Sequence, residues 1–185
     1  MLRIRRPTSR KLAQIARECE GAPLTYEHVG ATLSGDLPSG YVHDDTSVLL
    51  GTGAGVFEAA RSSLQNWAAH RGAGLVMSDG ASLEEGTTVA LTAPLPVAHA
   101  IATCRIVRVV DEPNRYGFAY GTLPLHPEDG EEAFLIERDG EDVRFRIVAF
   151  SRPRFWAARM ARPIARRLQV ETLHDYLRAM QRAVS

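Results

Sequence analysis

From residue 74 to residue 151 apolar and polar side chains alternate with a period of two, and on both sides of that block apolar positions recur every three or four residues. A period of two sends successive side chains to opposite faces of a strand. The alternation predicts strands at 74–78, 87–93, 98–112, 115–122, 131–138 and 142–151, with a shorter one at 46–50. The turns at Asp79-Gly80, Glu85-Gly86, 112–115 and Asp139-Gly140 are short enough to join antiparallel neighbours. Thr8 or Ser9 can cap a helix that runs to about Cys19 with Leu12, Ile15 and Ala16 on one side. A second helix is predicted over about 56–70, with Phe57, Ala60, Leu64 and Trp67 in phase. A third covers about 155–184 and should kink or split at Pro163. The segment 22–41, rich in Gly, Pro and Ser, reads as extended chain with turns.

The hairpin over 115–134 organises the rest. Its first strand sorts Phe118, Tyr120 and Thr122 onto one face and Gly117, Ala119 and Gly121 onto the other, so a backbone, helix or ligand can approach the small face closely. The sequence leaves open which face is inward. HPEDG at 126–130 reads as a solvated acidic tip. An antiparallel sheet of five or six strands must bury one face, and the last helix is its natural cover. That order defines an α+β helix-grip fold, a curved sheet wrapped around a long C-terminal helix with a cavity expected between them.

A chain of 185 residues is most simply one domain, here with a helical and extended N-terminal extension over about 1–45. Zero formal net charge argues against whole-molecule attraction to nucleic acid. The charge is nonetheless segregated. Eight acidic residues and one basic residue fall within 127–142, and seven arginines with two acids within 154–182. Two solvated, mutually attracted surfaces account for this; the sharper reading is a membrane-associated or interaction protein whose arginine-rich helix makes peripheral contact with an anionic membrane or a partner. Cys19 and Cys104 form no CxxC or Cys/His cluster, which fits reduced thiols and a cytoplasmic location. No secretory signal and no membrane span are visible.

Several stretches carry a resemblance: TYEHVG (25–30), PSGY (38–41), LLGTG (49–53), FEAARSSLQNW (57–67), GFAYGTLPLHPEDGEEAF (117–134), AFSRP (149–153) and RRLQ (166–169). In this order the chain resembles the uncharacterised domain-of-unknown-function family nineteen-ninety over nearly its whole length. Leu125 departs from it, standing where a glycine is expected. The resemblance implies kinship with START-like proteins such as polyketide cyclases and lipid carriers. It carries no catalytic residues with it.

GTGAG at 51–55 imitates a dinucleotide-binding turn, but Val56 occupies the sixth position of GxGxxG and no strand-helix-strand unit follows. It reads as a glycine turn into a helix. His126, Glu128, Asp129, Glu131 and Glu132 could supply oxygen ligands for Mg²⁺ or Ca²⁺, yet their composition is that of a surface turn, and no metal or cofactor is expected. Glu132 shares parity with Phe134 and Ile136. If that face is inward, Glu132 needs a partner such as Arg105 or Arg152. Ser151 reads as a helix cap. Phe118, Tyr120, His99, Arg105, Glu132 and Trp156 are the candidate ligand-binding residues, and Tyr120, His99 and Glu132 the acid–base groups if the cavity is an enzyme's. The expected partner is a small hydrophobic or amphipathic molecule, as the fold analogy implies. Ligand identity and oligomeric state are not legible.

Overall fold

The computed structural model describes residues 2–3, 6–95, 98–154 and 162–185. Among these residues eight antiparallel strands form one sheet: β1 (Leu2–Arg3), β2 (Val42–Thr52), β3 (Val76–Met77), β4 (Thr88–Leu95), β5 (Ala98–Glu112), β6 (Arg115–Thr122), β7 (Glu128–Asp139) and β8 (Asp142–Pro153). The order across the sheet is β2-β8-β7-β6-β5-β4-β3, with β1 paired to β5. Consecutive strands from β3 to β8 are neighbours, as short turns require. Every pairing among the described residues is antiparallel, which removes the dinucleotide-binding reading of GTGAG. Gly53 instead caps a helix with φ +87°, and its N–H donates to the Glu141 carbonyl at 2.8 Å.

The helices are α1 (Ser9–Glu18), α2 (Ala31–Ser34), α3 (Ala54–Gln65), α4 (Ala68–Gly72) and α5 (Arg162–Val184). Thr8 caps α1 by accepting from Lys11 N–H, as expected. The continuous helix expected over 56–70 breaks in two, because Trp67 adopts a left-handed φ of 59°. The turn lets its indole fill the core while Nε1–H donates to the Ala81 carbonyl at 2.9 Å, and it aims His70 inward. Residues 155–161, including Trp156, lie outside the described residues.

Alternation sorts the sheet into two faces. Phe118 and Tyr120 on β6 face inward with Glu132, Phe134 and Ile136 on β7 and Phe145 and Ile147 on β8. With Phe57, Leu64, Trp67, Leu177 and Met180 from the helices they build the main core. Burying these side chains supplies most of the driving force for the fold. The outer face is covered as well. Leu12, Ile15 and Ala16 of α1 pack on Ala90 and Ile101, and Leu125 joins that cluster. Tyr26 and Ala31 pack on Phe150.

Gly121 faces this outer layer. A Cβ there would run into the Tyr26 ring, so the missing side chain is what lets Tyr26 lie against the sheet. Gly121→Ala is expected to cost about 1–3 kcal/mol by forcing Tyr26 away. Urea unfolding monitored by tyrosine fluorescence checks it, and an unchanged midpoint would mean that Tyr26 moves freely.

Candidate functional site

The aromatic core fills one end of the space between sheet and α5, and the other end is left as a cavity of about 340 Å³. Leu75, Leu91, Ala100 and Ala102 form one wall and Leu168, Leu173 and Tyr176 of α5 the other. Tyr120, Glu132, Glu128, Ser151, Gln169 and Asp44 close it with polar groups.

At the deep end, the Tyr120 hydroxyl donates to Glu132 Oε2 at 2.6 Å. Glu132 is enclosed by protein yet keeps surface open to the cavity, as a lining group should. Its pKa is raised to about 7, first by burial and then by the charges of Glu128 and Asp44; the Tyr120 bond opposes the shift. Behind Tyr120 lies His70, fully buried, with Nε2 at 3.4 Å from the hydroxyl. Burial pushes the His70 pKa down to about 3, so the ring is neutral. Assigning the proton to Nε2 lets His70 donate to Tyr120 while Tyr120 donates to Glu132. His70 Nδ1 then has no partner among the described residues. The ring packs instead on Phe134, Trp67 and Tyr176, with centroids 4.6, 4.8 and 4.9 Å away.

At the mouth, Gln169 Nε2 donates to both oxygens of Glu128 at 2.6 Å and approaches Ser151 Oγ at 3.4 Å. Burial raises the Glu128 pKa, and the Gln169 and Ser151 bonds oppose it. Arg166 holds Asp44 through two bonds of 2.5 and 2.6 Å, tying α5 to β2.

These placements revise several expectations. Tyr120 and Glu132 line the cavity, while Phe118 lies beneath it in the aromatic core. Glu132 takes Tyr120 as its partner, not Arg105 or Arg152. His99 and Arg105 share the parity of Ile101, which packs under α1, so they stand on the opposite face of β5 from the cavity. Arg105 there donates to the carbonyls of Cys19, Glu20 and Ala22 and closes the end of α1. The acid–base set of Tyr120, His99 and Glu132 therefore does not converge. Ser151 is a strand residue of β8, not a helix cap.

The solvated acidic tip is also corrected. Glu128 and Gly130 belong to β7, paired with Pro153 and Ser151 of β8. The acids separate: Glu128 and Glu132 turn to the cavity, Asp129 lies between Arg152 and Arg154 at 3.8 and 3.9 Å, and Glu131 is buried on the outer face. No group of three or more metal-ligating side chains occurs among the described residues. Sequence reasoning missed His70, Tyr176 and Gln169, and assigned Glu128 to a surface turn. Ala133 to Ile136 is apolar on both parities, a sign of a strand buried on both faces. That sign would have placed both Glu131 and Glu132 indoors. No comparable signal marks His70.

A curved antiparallel sheet gripping a C-terminal helix, with a polar-ended cavity between them, defines a START-like helix-grip protein. Solved structures of a hypothetical protein from Helicobacter pylori and of a conserved protein from Geobacillus kaustophilus share this fold. Their TM-scores are 0.56 and 0.54 at 12% and 11% identity, covering 89% and 77% of this chain and 100% and 95% of those chains. Ginseng major latex-like protein 151 from Panax ginseng has a TM-score of 0.52 at 14% identity, over 76% of this chain and 95% of its own. Residues 25–179 match the domain of unknown function DUF1990, and the chain belongs to that family. A UPF0548 protein of Deinococcus radiodurans is 34% identical over 99% of this chain and 98% of its own length. A UPF0548 protein of Arabidopsis thaliana is 30% identical over 62% of this chain and 59% of its own.

Proposed function

We propose that this protein binds a small hydrophobic or amphipathic molecule between its sheet and α5. The observation that carries the reading is the 340 Å³ cavity, apolar along its walls and polar at its ends, of the size and character of small-molecule sites. In this reading the chain is one START-like domain whose N-terminal extension braces the outer face, and it works in the cytoplasm, where Cys19 and Cys104 stay unpaired. Native mass spectrometry, paired with a denatured sample of the same preparation, tests it. The expected result is a reproducible extra mass that leaves on denaturation and is lost in a Leu173→Trp variant that fills the cavity. A bare mass that persists after incubation with hydrophobic compound pools would count against binding.

A second reading, an enzyme using the same cavity, draws on one observation. Glu132 titrates near 7 with Tyr120 hydrogen-bonded to it, the tuning a general acid or base requires. Its test is turnover, rather than retention, of whatever ligand is found. The membrane reading finds less support, because three arginines of α5 face acids of the same chain: Arg166 to Asp44, Arg167 to Glu171 and Arg178 to Asp175. No described helix is long and apolar enough to cross a membrane.

A further inference from the structure

The polar groups that close the cavity are unbalanced in charge. Glu132 and Glu128 both present carboxylates, and their hydrogen-bond partners, Tyr120 and Gln169, are neutral. Among the described residues only Oε2 of Glu132 is bonded, and Oε1 has no partner. Arg166, whose charge reaches Glu128, has both terminal nitrogens committed to Asp44. Among the described residues no lysine or arginine lines the cavity. His126, the one basic side chain described there, is neutral because burial lowers its pKa to about 4, and its Nδ1 already accepts from the Glu128 backbone N–H at 3.1 Å.

Enclosed carboxylates met only by neutral donors are poorly compensated as anions. A ligand can correct this or make it worse. An anionic head would add a third negative charge beside Glu128 and Glu132. A hydroxyl would gain an ordinary hydrogen bond. An ammonium would donate a charge-assisted bond to the open oxygen of Glu132, and the negative charge of Glu128 further along β7 would favour it too.

We infer that, granted the cavity-binding reading on which this rests, the ligand is an amphipathic amine whose ammonium sits against Glu132 and whose hydrocarbon body lies along Leu75, Leu91, Ala102 and Leu173. The polar end selects by charge and the walls accept any apolar body of suitable size. Specificity therefore resides in the head group.

Octylamine, 1-octanol and octanoate share one chain and differ only in the head, so their displacement of Nile red from the full-length protein at pH 8 separates the possibilities. Octylamine is expected to bind at least about tenfold more tightly than octanol, the increment of a charge-assisted bond over a neutral one, with octanoate the weakest. Glu132→Gln should erase the preference for the amine while leaving octanol binding in place. Leu173→Trp should abolish binding of both. Octanol or octanoate matching the amine, or an amine preference that survives Glu132→Gln, would overturn the amine assignment while leaving cavity binding intact. Failure of all three probes to displace the dye, or displacement indifferent to Leu173→Trp, would overturn the cavity-binding reading and the amine with it.

Discussion

Replacing Glu131 with alanine is expected to lower the unfolding free energy by about 3–4 kcal/mol, a large share of the stability of a domain this size. The Glu131 carboxylate is buried under the N-terminal segment and accepts four hydrogen bonds from it. The donors are the Tyr26 hydroxyl at 2.6 Å, Gly30 N–H at 2.7 Å, Thr32 N–H at 3.1 Å and the Thr32 hydroxyl at 2.5 Å. These donors lie about one hundred residues away in sequence, so a single side chain closes a long loop onto the outer face of β7. Alanine leaves all four without an acceptor, and burial makes each loss expensive. The segment around α2, with Tyr26 and Ala31, should then lift from Phe150. Glu131→Gln keeps one acceptor oxygen and should cost less than the alanine. Urea unfolding gives the size of the effect, and limited proteolysis shows where it falls, with new cleavage expected between residues 25 and 41. A loss below about 1 kcal/mol with no new cleavage would mean that the extension is held by its apolar contacts alone.

Glu131 also marks where the sequence stopped being legible. The strand periods, the Thr8 cap and the order of elements are local properties of the chain, and the helix-grip fold follows from them because a sheet with an apolar face accepts few covers. Placing Tyr120 and Glu132 on the face of Phe118, Phe134 and Ile136 needed only the period of two. What failed depended on long-range geometry. The shared parity of His99 and Arg105 on β5 cannot by itself say which face is inward, and α1 occupies the side they share with Ile101. HPEDG has the composition of a solvated turn, and only the pairing of Glu128 to Gly130 with β8 draws it into the sheet. His70 reaches the site because Trp67 breaks the helix with a left-handed turn, a conformation that no local preference of tryptophan announces. The α+β class survives such errors, since it rests on many residues. A site rests on a few, and one reversed face removes two of them.

The neighbouring carboxylate should behave in the opposite way: Glu132→Gln is expected to stabilise the protein at pH 8 and to leave it unchanged near pH 4.5. In the folded chain Glu132 titrates at about 7, against an ordinary carboxyl value of 4.5, chiefly because burial penalises its charged form. A folded pKa raised above the unfolded one contributes stability that is complete below pH 4.5 and is lost as pH rises through 7. The gap between the two values corresponds to at most about 3 kcal/mol. Glutamine has no proton to lose, retains an oxygen for the Tyr120 hydroxyl and avoids that loss. His70 and His126 contribute with the reverse sign, because burial lowers their pKa values from 6.5 to about 3 and about 4. Their stability is present above pH 6.5 and disappears as pH falls, so the wild-type protein has opposing slopes between pH 4.5 and 6.5. Both histidines remain in the variant, and the difference between the two proteins isolates Glu132. Urea unfolding of each at pH 5 and pH 8 measures it. A variant less stable than wild type at both values would make Glu132 a structural anchor like Glu131. A gain confined to the higher pH would show a carboxylate held, against the interest of the fold, where only a ligand can use it, one residue along the strand from a carboxylate that the fold depends on.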